Sequence, residues 1–187
     1  IIKHPGIAAA MASAAVAYGV MSLIMTATPV SMSEIQDYPL METKTVIQSH
    51  IMAMFIPSLF TPFILRYVST AAMLLVGLVA MITAITIALL DQSYWGYWFA
   101  LVFLGLGWNL LFSGGTALLA QSYQPEESFT VQAVNEFAVF GIQAVTSLSA
   151  GWLVFSYGWH VLNLFSIPLL MLALFMLFRW NQFKSSN

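Results

Sequence analysis

There is no cysteine among the 187 residues, which excludes disulfides, thiolate metal sites and a cysteine nucleophile. Charge is nearly as scarce. Lys and Arg total 5, Asp and Glu 7, and charged residues make up 6%, where a soluble domain carries roughly 25%. With a net charge of −2 and no long basic run, nothing points to nucleic-acid binding. No Gly-Lys-Ser or Gly-Lys-Thr follows Gly105, Gly107, Gly114 and Gly115, so a phosphate-cradling loop is excluded. No cationic leader with a cleavage site precedes the first apolar run, and the chain opens on Ile1 rather than methionine. It is therefore expected to be part of a longer protein.

Apolar sequence fills the rest. Hydrophobic residues reach 60%, more than a soluble core of this size can hide. Charge-free intervals run over 5–33, 45–65, 67–90, 92–125, 128–135 with its continuation 137–159, and 161–178. A helix needs about 20 apolar residues to cross a hydrocarbon core of roughly 30 Å. The intervals thus predict an all-α membrane domain of six spans, at about 7–30, 45–66, 70–90, 95–120, 127–155 and 161–179. Between the first two lies a segment, 31–44, that carries Glu34, Asp37 and Glu42 and reads as a solvated loop. Placing the start in the cytoplasm puts Lys3, Arg66, Arg179 and Lys184 inside and only Lys44 outside, in keeping with the positive-inside rule. Both ends are then cytoplasmic. Tyr94, Trp95, Tyr97 and Trp98 form an aromatic belt at the outer interface, marked by Asp91.

Polarity is unevenly shared among the spans. The third and sixth carry almost nothing that needs water, whereas the other four each carry a stripe at helical spacing. Tyr18, Ser22, Thr26 and Pro29 align on the first; His50, Met54, Pro57 and Thr61 on the second; Gly105, Asn109, Ser113 and Thr116 on the fourth; Gln132, Glu136, Gln143 and Ser147 on the fifth. Four helices facing a wet cavity and two facing lipid would produce this pattern. The alanine-rich first helix, Ala8 to Ala17 followed by Gly19, is expected to be buried among the others, because small residues let backbones approach closely.

Glu136 is the sharpest signal. It stands nine residues past Glu127, about 14 Å deep at 1.5 Å per residue, near the middle of the core. A carboxylate there costs on the order of 3 kcal/mol and escapes by protonation, pairing or hydration. A transporter can link proton occupancy to the side that the cavity faces; otherwise the group simply holds a neighbouring helix. His50, five residues past Thr45, is a second candidate for proton coupling, with an interfacial histidine as the plainer reading. Tyr18, Ser22, Thr26, Met54, Trp108, Asn109, Ser113, Gln132 and Gln143 are the candidate substrate-cavity residues, by stacking, hydrogen bonding or adaptable packing; interhelical bonding explains any one of them equally well.

Several stretches carry a resemblance: Thr26-Ala-Thr-Pro29; Val46-Ile-Gln-Ser-His50 leading to Met54-Phe-Ile-Pro-Ser-Leu-Phe-Thr61; Leu104-Gly-Leu-Gly-Trp-Asn109 with Ser113-Gly-Gly-Thr116; and Val131-Gln-Ala-Val-Asn-Glu136 with Ser149-Ala-Gly151. Over essentially its full length the chain resembles the carboxy-terminal half, helices seven to twelve, of a major facilitator superfamily (MFS) transporter. The resemblance implies two inverted three-helix repeats, alternating access, and a solute site shared with an amino-terminal six-helix half. It also implies that the first, second, fourth and fifth helices line the cavity. The family's glycine, acid and basic residues between the second and third helices survive only as Arg66, with Pro62 near the glycine position.

The expectation is therefore a proton-coupled secondary transporter of a small organic solute, multi-pass in a bacterial inner membrane, with no metal or organic cofactor and no enzymatic activity. Two other classes compete. A rhomboid-like intramembrane serine protease would use Ser113 and His160, but Leu111 stands where that motif needs glycine, and the two residues sit at opposite depths. A channel-forming or structural six-helix subunit has no feature in its favour, and the buried acid argues against it.

Overall fold

The computed structural model describes residues 4–186, with the side chains of Pro62, Ile64, Leu65 and Ser186 left aside. Ile1 and Lys3, the latter used above for orientation, lie outside the described residues. Among the described residues there is helix and no strand. The helices are α1 Pro5–Pro29, α2 Leu40–Phe55, α3 Thr61–Tyr67, α4 Thr70–Leu90, α5 Tyr94–Ala120, α6 Ser128–Leu164 and α7 Ser166–Ser186. Among the described residues four continuous helical stretches are long and apolar enough to cross a membrane: Pro5–Ile35, Thr70–Leu90, Tyr94–Ala120 and Pro125–Ser185. The last has 61 residues. Straight, it would reach about 90 Å, three times the hydrocarbon core. It is broken at Gly158, whose φ of 81° and ψ of 172° lie where side-chain-bearing residues rarely go. The segment expected at 45–66 is built from α2, a 3-10 turn over Ile56–Phe60 and α3. Pro57 explains the break, because it has no N–H to continue the α-helical ladder.

The segment read as a loop over 31–44 is mostly helix. Pro29 removes one backbone donor, and past it the hydrogen bonding shifts to a π-helical turn over Val30–Ile35. The true connection is only 36–39, with Asp37 at φ 55°. Charge alone misled the reading, since Glu34 and Glu42 sit on exposed or half-exposed helix ends where they cost nothing.

α1 is the centre of the bundle and packs on α5, α6 and α7, while α5 also packs on α4 and α2. Ala9, Ala10, Ala17, Val20 and Ala27 have no exposed surface, as the small-residue pattern predicts. Glycines bring α5 close to α2 and α4: Gly105 meets the backbone of His50 and Met54, and Gly107 that of Gly77 and Met81.

Contacts between the ends relate the directions of the helices. The ring of His4, before α1, lies 5.8 Å from that of Phe183 in α7, and Ser122, after α5, lies against Gly6. At the other end, Gln36 donates to Gln92 at 2.9 Å, the Tyr38 hydroxyl donates to the Gln92 carbonyl at 3.1 Å, and the Gln92 amide meets the His160 ring at 3.0 Å. The last carbonyls of α4, which have no helical partner, are taken up there. Trp159 Nε1 donates to Ala88 at 2.9 Å, and His160 Nε2 donates to Leu89 at 3.1 Å. The start of α5 is capped by Ser93, which Asp91 in turn holds by two hydrogen bonds.

Candidate functional site

One side of the bundle is polar and uncovered. On α6 the row Gln132, Glu136, Phe140, Gln143, Ser147 repeats about every turn, and each member is exposed or half-exposed. On α1, Tyr18 is half-buried, Ser22 buried, and Thr26 and Pro29 exposed; on α5, Phe112 and Ser113 are half-buried and Thr116 exposed. The α1 and α6 rows meet. The hydroxyls of Thr26 and Ser147 are 3.4 Å apart, and Gly19 lets Ile142 close against α1.

Glu136 sits on this open side with a single hydrogen bond, a long one of 3.4 Å from the Asn135 amide. Among the described residues no cation pairs with it. It borders a cleft of about 120 Å³ lined by Phe112, Thr116, Leu119, Tyr123, Gln132 and Asn135, among others. Within that lining Gln132 donates to the Tyr123 hydroxyl at 2.7 Å. Tyr18 lies within electrostatic reach of the Glu136 carboxylate.

Tyr18 is also the hub of an aromatic cluster. Its ring meets Trp108 edge-on at 5.2 Å, Phe112 at 5.1 Å and Phe140 at 6.1 Å. Trp108 and Phe112 are stacked at 5.3 Å with 16° between planes. Trp108 is buried, and its Nε1 has no acceptor among the described residues. Sequence reasoning picked Tyr18 and Trp108 but missed Phe112 and Phe140. The signal was present: each stands one turn past a residue already chosen, Phe112 four after Trp108 and Phe140 four after Glu136.

The stripe on α2 points elsewhere. His50 has no exposed surface, and its Nδ1 donates to the Leu101 carbonyl of α5 at 2.7 Å, with Nε2 left unpartnered. Met54 is buried beside it. Asn109 reaches across the same seam, donating to the Met54 carbonyl at 2.8 Å and to the Ser58 hydroxyl. The structure therefore gathers Tyr18, Trp108, Gln132, Gln143, Thr26 and Glu136 around the open side, and sets His50, Met54 and Asn109 in the contact between α2 and α5. Among the described residues no group of three or more His, Asp or Glu is arranged to hold a metal ion.

The protein-family model described as Major Facilitator Superfamily matches residues 10–186. The chain belongs to this family. Its members are transporters and not enzymes, which leaves Ser113 and His160 without the protease role weighed above; His160 is engaged with Gln92 and Leu89 instead. Among MFS relatives, the riboflavin transporter RfnT of Brucella anthropi is 33% identical over 174 residues, covering 93% of this chain and 44% of that protein. The uncharacterized MFS-type transporter YddS of Bacillus subtilis is 32% identical over 165 residues, 80% of this chain and 36% of that one. The chain thus spans less than half the length of these relatives. No solved structure matches it.

Proposed function

We propose that this chain is the carboxy-terminal half of an MFS secondary transporter that moves a small organic solute by alternating access, with Glu136 coupling transport to protons. One observation carries the reading. A row of polar side chains, with a nearly unpartnered carboxylate among them, lies open on one side of an otherwise apolar bundle. Glu136 is nine residues into its helix, mid-depth in the bilayer, where lipid is an unacceptable neighbour for it. The side it faces is therefore covered by water and protein, which is what a second half with a shared central cavity supplies.

In this reading the chain crosses an inner membrane six times as two inverted three-helix repeats. α2 and α3 together make the second crossing, and α6 and α7 the last two. The meeting of His4, Ser122 and Phe183 at one end, and of Gln36, Gln92 and His160 at the other, supports that alternation. The first of these ends is the cytoplasmic one. Glu136 takes the proton-coupling role ahead of His50, because the His50 ring is held in the α2–α5 seam. Flavins are the first solutes to test, since a relative is a riboflavin transporter.

The halves can be tested directly. Expressed alone, residues 1–187 should insert but move no solute, since one half offers one wall of the pathway. Co-expression with an amino-terminal half should restore uptake or efflux in vesicles. Solute movement by the monomeric chain alone would overturn the proposal.

A further inference from the structure

The open side of the bundle holds two kinds of surface close together. One is aromatic: Phe112 is half-buried and Phe140 is 54% exposed, so both keep free ring surface, and Tyr18 ties them to the buried Trp108. The other is polar. Along α6, Phe140 is one turn past Glu136 and just under one turn before Gln143, so along the helix axis its position is bracketed by a carboxylate-bearing residue about 6 Å to one side and an amide-bearing one about 5 Å to the other. Among the described residues neither the Gln143 side-chain amide nor the Tyr18 hydroxyl has a hydrogen-bond partner, and Glu136 has only the long one from Asn135.

An exposed ring between free hydrogen-bonding groups offers little to a simple ion or a small aliphatic amino acid. Those ligands ask for a charge partner and gain little from ring faces. The arrangement suits a flat heteroaromatic. Such a ring stacks on phenyl and indole faces, offset or edge-on, while imide N–H and carbonyl groups on its rim find acceptors and donors at the edge of the stack. Gln143 can both donate to a rim carbonyl and accept from a rim N–H. Glu136 accepts from an N–H when ionised and offers a donor when protonated, so the same carboxyl can register both solute and proton.

We infer that Phe112 and Phe140 form one wall of a stacking site for a flat, imide-bearing heteroaromatic ring of the flavin class, with Glu136 and Gln143 reading its rim. The inference rests on the transporter reading above, and deepens it by assigning the ring to particular residues. The adjoining cleft of about 120 Å³ and a more open depression of about 380 Å³ that shares Gln132 and Glu136 both lie on the side that a second half would cover.

Titrating riboflavin, and lumiflavin as the ring without its ribityl chain, into the purified full-length protein tests this. The readout is the rise in flavin fluorescence anisotropy on binding, which does not depend on quenching by the rings it stacks on. Both ligands should bind wild type, and ribitol should not compete. Phe112→Leu and Phe140→Leu keep apolar bulk but lose the π face, and each should weaken binding by about three- to tenfold. Phe140→Tyr keeps the ring and should bind within about twofold of wild type, which separates loss of stacking from loss of fold. Failure of both flavins to bind wild type, or Leu variants that bind as tightly as wild type, would overturn the inference. The coupling reading fails separately: Glu136→Gln with wild-type pH-driven accumulation would sink it, while flavin binding that still depends on Phe140 would leave the ring site standing.

Discussion

Gly107 is a tightly confined point between α4 and α5 at which a single methyl group can test the packing. A Cβ built there would lie 2.9 Å from the Gly77 carbonyl oxygen, 2.9 Å from the Met81 amide nitrogen and 2.6 Å from Met81 Cγ. The Met81 side chain can swing aside, but the two backbone atoms belong to the middle of α4 and cannot. Restoring ordinary van der Waals separation means parting α4 and α5 by about half an ångström along a contact that buries Leu74, Leu78, Met81, Leu104 and Leu111. Overpacking of this kind costs about 1–3 kcal/mol, against a gain of up to about 1 kcal/mol in helix propensity. At about 2–4 °C per kcal/mol for a domain of this size, Gly107→Ala should lower the melting temperature of the full-length protein by several degrees. Gly151 is the control, because nothing lies within 4 Å of a Cβ placed there, and Gly151→Ala should leave the melting temperature level or slightly raised. The assay is thermal unfolding in detergent followed by tryptophan fluorescence. A Gly107→Ala protein that melts with wild type, or a Gly151→Ala protein that falls as far, would refute the close packing of α4 on α5.

Two further outcomes are expected. Trp159→Phe keeps the ring contact with Tyr97, 5.0 Å between centroids, but leaves the Ala88 carbonyl without its indole donor; a loss of about 1–3 kcal/mol should appear as a lower melting temperature with solute binding intact, and an unchanged melting temperature would remove that bond from the account. Single cysteines, which have no native background here, should be labelled by a membrane-impermeant maleimide only from the cytoplasm at Ser69 and Ser185 and only from outside at Ser33. Labelling of Ser185 from outside would invert the proposed orientation.

The helical, membrane-crossing character was legible because apolar length and charge placement answer directly to the bilayer. The open face was legible on α1 and α6, where Tyr18, Thr26, Gln132, Glu136 and Gln143 recur at helical spacing and remain uncovered. Periodicity gives the phase of a stripe but not the neighbour it meets. On α2 the same kind of stripe faces α5, because Gly105 admits the backbone of His50 and Met54 to close range and Asn109 and His50 bond across the gap. Charge also misled over 31–44, where the missing N–H of Pro29 redirects a helix rather than ending it. The aromatic cluster around Tyr18 was half seen, since Phe112 and Phe140 look like ordinary lipid-facing residues until tertiary contacts place them beside it.

In the proposed transport cycle Glu136 links a proton to the movement of solute. Glu136→Gln in the full-length protein, reconstituted in vesicles, tests it most directly, because the amide keeps the shape and one hydrogen-bonding end while removing the ionisable group. Two fluxes are measured side by side: accumulation of riboflavin driven by a pH gradient, and exchange of labelled for unlabelled riboflavin at equal concentrations. Driven accumulation should be abolished while exchange persists, and Glu136→Asp should retain part of the driven flux. A Gln variant that accumulates solute to the wild-type level with unaltered pH dependence would contradict it and assign the carboxyl a structural role.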